Sequence, residues 1–262
     1  MPNYVIKVFP KDSVKFIQEP KDAVLKKISQ KLESTPSLIF NKELKKPRAG
    51  FDPSSLEMAD YGVKLTYIVE KELVIPTVEG SIREFQMIAI PGKFIFEQGI
   101  LLISSSSDTL IEKGSIAWAE LLFPTRSLSP CPIDFTKEQF HQIIEASART
   151  VLDISHIETK GLDKIQLKAY DLRNKEWYKE EGFDSENAER FSFIPNLPDS
   201  FNGKTVICKM YRDGRFVIYQ SAKFSEDEFE KIQLFLVNKI IQTVGSPLCK
   251  FGASEVQERL IT

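Results

Sequence analysis

Lys204–Gln242 reads KTVICKMYRDGRFVIYQSAKFSEDEFEKIQLFLVNKIIQ and carries the strongest fold signal in the chain. Two runs rich in β-formers flank Asp213-Gly214, a strong short-range hairpin signal. A two-residue type I′ turn there predicts Tyr211 opposite Phe216, Met210 opposite Val217, Lys209 opposite Ile218 and Cys208 opposite Tyr219. Alternation then groups Val206, Cys208, Met210, Val217 and Tyr219 on one face. Ile207, Lys209, Tyr211, Phe216 and Ile218 fall on the other. Both faces are largely apolar, so each needs a cover. A helix follows at once. Ser225 with Glu228 forms a capping box, acidic residues fill the first turn, and Phe229, Ile232, Leu236 and Ile240 follow the helical period. Gly245 and Pro247 end it.

A weaker echo lies upstream in Lys93–Phe123, KFIFEQGILLISSSSDTLIEKGSIAWAELLF. Gln98-Gly99 reads as the turn between strands 94–96 and 100–103, and Thr109 with Glu112 as the capping box. The turn positions Gln98 and Asp213 lie 115 residues apart, and the caps Thr109 and Ser225 lie 116 apart. Pro20 and Thr136, each opening a helix, are also 116 apart. Three features at one offset imply a duplicated plan. The first half is residues 1–124, the Pro-rich junction 125–135 and the second half 136–262. The expected fold class is α+β, with two pseudo-repeated halves and a mostly antiparallel sheet that has helices packed on one face.

Between these anchors, strands are expected at 4–9, 63–69, 71–75, 83–90 and 164–172. Helices are expected at 20–33 and 137–152. Residues 34–60 read as an exposed loop, Pro91-Gly92 as a turn, and 173–203 as a charged, Pro- and Asn-rich insertion.

Composition limits the function classes. The 262 residues are 42% apolar and 27% charged with net charge −2, as in a globular protein with no general affinity for polyanions. Basic charge is concentrated in residues 1–48, where eleven Lys/Arg face five Asp/Glu; the run Asn41–Arg48 reads as a solvated loop. Three cysteines (Cys131, Cys208, Cys249) and no signal-peptide pattern suggest thiols in a reducing, cytoplasmic setting. No run approaches the roughly 18 apolar residues of a spanning helix, so no membrane partner is expected.

Duplicated halves of this type resemble the TATA-box-binding-protein (TBP) fold, on the strength of the two hairpin-then-capped-helix units. In that family, phenylalanines near the hairpin turns wedge between base steps. The resemblance implies such roles for Phe94 and Phe96 in the first half and for Tyr211 and Phe216 in the second. Lys209, Arg212 and Arg215 beside them would meet phosphates. The expected partner is therefore nucleic acid on a strand face. The alternative is a protein docked on the same apolar face by an accessory subunit.

Catalytic signals are thin. His141 is placed on a helix and His156 in a loop, and no phosphate loop, nucleophile elbow or metal-spaced Cys/His set appears. No catalytic residue, metal ligand or cofactor is assigned. A metal-dependent nuclease built on Asp153 or Asp163 with Gln166 and Lys168 is the third reading. The segment Tyr211-Arg212-Asp213-Gly214-Arg215 is similar to the RDGR-type segment of Argonaute PIWI domains, whose Asp helps bind metal. An Asp-Gly turn accounts for the same letters without chemistry.

Overall fold

The hairpin at Asp213-Gly214 forms, with a turn one residue longer than a type I′ loop. In the computed structural model, strand β10 (Ile207–Tyr211) and strand β11 (Arg215–Tyr219) enclose Arg212, Asp213 and Gly214. The Gly214 N–H donates to the Tyr211 carbonyl at 3.1 Å, and Gly214 has φ +77°. This is a three-residue loop closing on a left-handed glycine. It moves the register by one: Cys208 pairs with Ile218, Lys209 with Val217 and Met210 with Phe216. A one-residue slip turns one strand's side chains over relative to the other. Cys208, Met210, Phe216 and Ile218 thus share a fully buried face, and the predicted grouping of Phe216 with Tyr211 is corrected.

The structure describes residues 3–9, 21–34, 49–78, 80–96, 99–123, 130–133, 135–159, 162–168, 172, 188–198, 201, 204–219 and 224–244. They divide between two compact units, Pro2–Cys131 and Pro132–Pro247. The fold class is α+β, and the paired strands of each unit run antiparallel.

The first unit holds β1 (Asn3–Val8), α1 (Lys21–Ser34), β2 (Ala49–Ala59), β3 (Gly62–Thr77), β4 (Gly80–Ile95), β5 (Ile100–Ser105) and α2 (Asp108–Leu122). Its strands lie in the order β2-β3-β4-β5-β1. One sheet face carries Val5, Leu65, Phe94, Leu101 and Ile103, and packs with Ile28 of α1 and Trp118 of α2 into one core. Gly92 makes room for this. A Cβ there would lie 2.3 Å from Trp118 Nε1.

Several expectations change in this unit. Pro91-Gly92 is not a turn: both sit inside β4, opposite Thr66 and Leu65. Pairing of β4 with β5 begins only at Gly92, so Pro91, which has no N–H, is not asked to donate on that side. Residues 49–59 form a strand, not a loop. Pro53 is tolerated because β2 is an edge strand with its register shifted between Asp52 and Glu57. There the Ser55 hydroxyl accepts from the Thr66 N–H at 2.9 Å, standing in for a ladder carbonyl. Helix α2 starts one residue before Thr109, and its N-cap position, Ser107, makes no side-chain cap. Glu112 reaches out of the helix to the nearly buried Lys7 ammonium at 3.0 Å.

The second unit follows the two-residue strand β6 (Cys131–Pro132), whose second residue belongs to it. It contains α3 (Lys137–Ser147), β7 (Ala148–Thr159), β8 (Leu162–Lys168), β9 (Ala188–Pro195), β10, β11 and α4 (Glu226–Val244). The strand order is β11-β10-β9-β7-β8. The capping box predicted at Ser225 is present, and Thr136, predicted to open a helix, forms one as well. Thr136 and Gln139 exchange bonds of 3.0 and 3.2 Å, and Ser225 and Glu228 exchange bonds of 2.9 and 3.2 Å.

Helix α3 is shorter than expected. From Ala148 the chain turns extended, because Thr150 and Val151 are β-branched and Val151 is buried opposite Phe193. His156 accordingly lies on β7, not in a loop. Within the predicted insertion, residues 188–195 form strand β9, paired with both β7 and β10; Phe191 and Phe193 point into the core and Phe140 of α3 meets Phe191 edge-on at 5.2 Å. Residues 173–187 lie outside the described set.

Candidate functional site

The corrected register assembles a different surface from the predicted one. On β10 and β11 the face opposite the core carries Ile207, Lys209, Tyr211, Arg215, Val217 and Tyr219. Arg215 lies over the Tyr211 ring at 5.1 Å and Lys209 over the Tyr219 ring at 5.5 Å. All four of these residues are half-buried. The Asp213 carboxylate accepts from Arg215 Nε at 2.7 Å and from its backbone N–H at 3.1 Å, so the turn residue orients this guanidinium. Next to Tyr211 on β9 stands Arg190, paired with Asp153 at 3.3 Å. The strip is therefore cationic and aromatic, with part of its charge already compensated.

The predicted site residues separate. Lys209, Tyr211 and Arg215 come together. Arg212 sits in the turn, where its N–H donates to the Glu189 carbonyl at 2.9 Å and its carbonyl accepts from Phe135 at 3.0 Å. Phe216 is buried on the other face, against the hydrophobic core. Phe94 and Phe96 are buried too. Phe94 meets Phe9 at 5.6 Å and Phe96 at 5.7 Å within the first unit's core. A ring closed in on this scale presents no face to a base, so Phe94, Phe96 and Phe216 act here as core residues.

For the nuclease reading, the ladder sets Asp153 opposite Lys168 and Ser155 opposite Gln166. The Asp153 carboxylate is engaged by Arg190. Among the described residues no group of three or more His, Cys, Asp or Glu is placed to hold a metal ion. Burial pushes the Cys208 thiol far above its ordinary range, so it stays protonated and packs as a small hydrophobe. Among the described residues no helix is long and apolar enough to cross a membrane.

Two features of the first unit went unread in the sequence. One is a cleft of about 210 Å³ lined by Leu32, Phe51, Pro53, Tyr67, Lys31 and Glu120. Burial, partly offset by Glu120, lowers the Lys31 ammonium below its ordinary range; burial and then Glu120 raise the Tyr67 phenol. Lys31 donates to the Glu120 carbonyl.

The other is an arm. β3 and β4 stay paired from Gly62↔Ile95 to Thr77↔Gly80. Yet β2 leaves β3 at Val69, and β5 joins β4 only from Gly92. Beyond those points the hairpin is a two-stranded ribbon whose edges have no ladder partner among the described residues. Val74 (59% exposed), Ile82 (52%), Phe85 (49%) and Met87 (64%) stand on it in water. Phe85 is paired with Glu72, and Arg83 reaches Glu72 at 3.3 Å. The signal was available: two long β-prone runs joined around Glu79-Gly80 predict a hairpin, and only the lack of a third strand among the described residues makes it an arm.

No protein-family model matches this chain, and no curated protein matches it in sequence.

Proposed function

We propose that the chain is a non-enzymatic binding module that enters a protein assembly through the β3–β4 arm. The observation that carries this reading is the exposure of Val74, Ile82, Phe85 and Met87 on a ribbon that extends past its neighbouring strands. A two-stranded ribbon is marginal alone in water. Each of these side chains is about half exposed, so burying the remainder against a partner contributes roughly 1 kcal/mol apiece. Val74, Phe85 and Met87 share one face of the ribbon, and exposed apolar patches larger than a few hundred Å² generally mark interaction sites. The test is co-purification from the source cells with the wild-type chain and with a Phe85→Lys/Met87→Lys variant. The reading expects partners to be lost while the melting temperature holds, with hydrogen-exchange protection of residues 70–90 only in the complex. Identical partners on both chains would remove it.

A second reading, contact with nucleic acid on a TBP-like duplicated plan, is favoured by one observation, the shared face of Lys209, Tyr211, Arg215 and Tyr219. In it, Tyr211 and Tyr219 take the stacking role that Phe94, Phe96 and Phe216 are too buried to play. Each stacked base contributes roughly 1–3 kcal/mol. Gel shifts with single-stranded and duplex probes are expected to weaken steeply as salt rises and to weaken again in Tyr211→Ala. The absence of any shift at low salt would exclude it.

A further inference from the structure

We infer that the arm pairs with the arm of a second copy of this chain, β4 against β4 about a twofold axis at Phe85. This rests on the reading of the arm as a protein-docking element and names its occupant.

The two edges of the ribbon are not equivalent. The β3 edge, Glu70–Thr77, carries Lys71 and Glu72 and is interrupted by Pro76, which lacks an N–H. Charges and prolines are what guard an edge against further pairing. The β4 edge from Gly80 to Ile90 reads GSIREFQMIAI and contains no proline. Its only charges, Arg83 and Glu84, cancel. A β-prone segment with low net charge and no proline is suited to pair with itself.

Charge and ring pairing favour one register. A twofold axis perpendicular to the ribbon keeps every residue on its own face, so the pairing must be centred on a residue. Centring on Arg83 or Glu84 sets like charges opposite each other, which is destabilising. Centring on Phe85 sets Phe85 opposite Phe85, Glu84 opposite Gln86, Arg83 opposite Met87 and Ile82 opposite Ile88 of the second copy. That register joins an aromatic pair at the axis and meets no like charges. It also turns two marginal ribbons into one four-stranded sheet, which reaches the strand number that independent stability requires.

The purified chain tests this by sedimentation equilibrium from about 1 to about 100 μM. The expected result is a monomer–dimer equilibrium whose dissociation constant rises at least tenfold in Phe85→Lys. Independently, Phe85→Cys sits on the axis and should give an intermolecular disulfide under mild oxidation. Val74→Cys, on the same ribbon face but on β3, should not exceed the wild-type background. A chain that is monomeric throughout this range overturns the inference. A dimer that is indifferent to Phe85→Lys and does not cross-link through Phe85→Cys overturns it as well. If self-association fails while partner capture still depends on Phe85 and Met87, only the occupant is wrong. If both fail, the docking reading of the arm falls with it.

Discussion

At the residue scale, small changes at three positions should report on the packing. Gly214 has φ +77°, and a Cβ there would lie 3.0 Å from Ile133 Cβ. Gly214→Ala is therefore expected to cost about 1–2 kcal/mol in urea unfolding, from left-handed strain and the contact together. Phe216→Ala should cost about 3–5 kcal/mol, because it empties a fully buried ring site. Tyr211→Ala on the facing side should cost much less, since that ring is half-buried. Equal losses at the two positions would contradict the three-residue turn. The pair Lys7–Glu112 supplies an asymmetric test. Glu112→Ala leaves an ammonium nearly out of water and should cost about 1–3 kcal/mol, whereas Lys7→Met should cost less. Residue identities alone showed the strand periodicity here, but the turn conformation decides which side chains meet.

At the element scale, the capping box of α4 is legible in the sequence and present in the structure. Ser225→Ala should lower stability by about 1 kcal/mol. Its partner Glu228 titrates below the ordinary carboxylate range, mainly because the Lys204 ammonium donates to it and then because of the Ser225 backbone bond. A folded-state pKa below the unfolded one means that the ionised form stabilises the fold. That contribution is fully present above the usual glutamate range and is lost as pH falls through the lowered folded value. In acid titrations followed by circular dichroism, Glu228→Gln should therefore reduce the dependence of stability on pH below about 4.5. The cap predicted at Thr109 does not form because the helix begins at Asp108, which puts Thr109 inside it; Glu112 pairs with Lys7. The end of α3 moved for a tertiary reason, since residues from Ala148 onward are claimed by the ladder to β9.

At the scale of the whole molecule, the arm should behave differently from the sheet it grows from. Amides of 70–77 and 80–87 are expected to exchange faster than those of 63–69 in dilute protein, and to slow as concentration rises if the arms pair. Unchanged exchange across the sedimentation range would count against pairing. By itself the sequence determined the α+β class, the two hairpin-then-helix units, the two capping boxes that form and the apolar character of the strands, because these depend on short-range periodicity and local hydrogen bonding. Only tertiary structure decided that Phe94, Phe96 and Phe216 belong to cores, that β9 runs between β7 and β10, and that residues 70–78 and 80–87 project without a third strand among the described residues. Each of those depends on which segments become neighbours. A strand's alternation states that it has two faces, and the chain folded around it states which of them meets water.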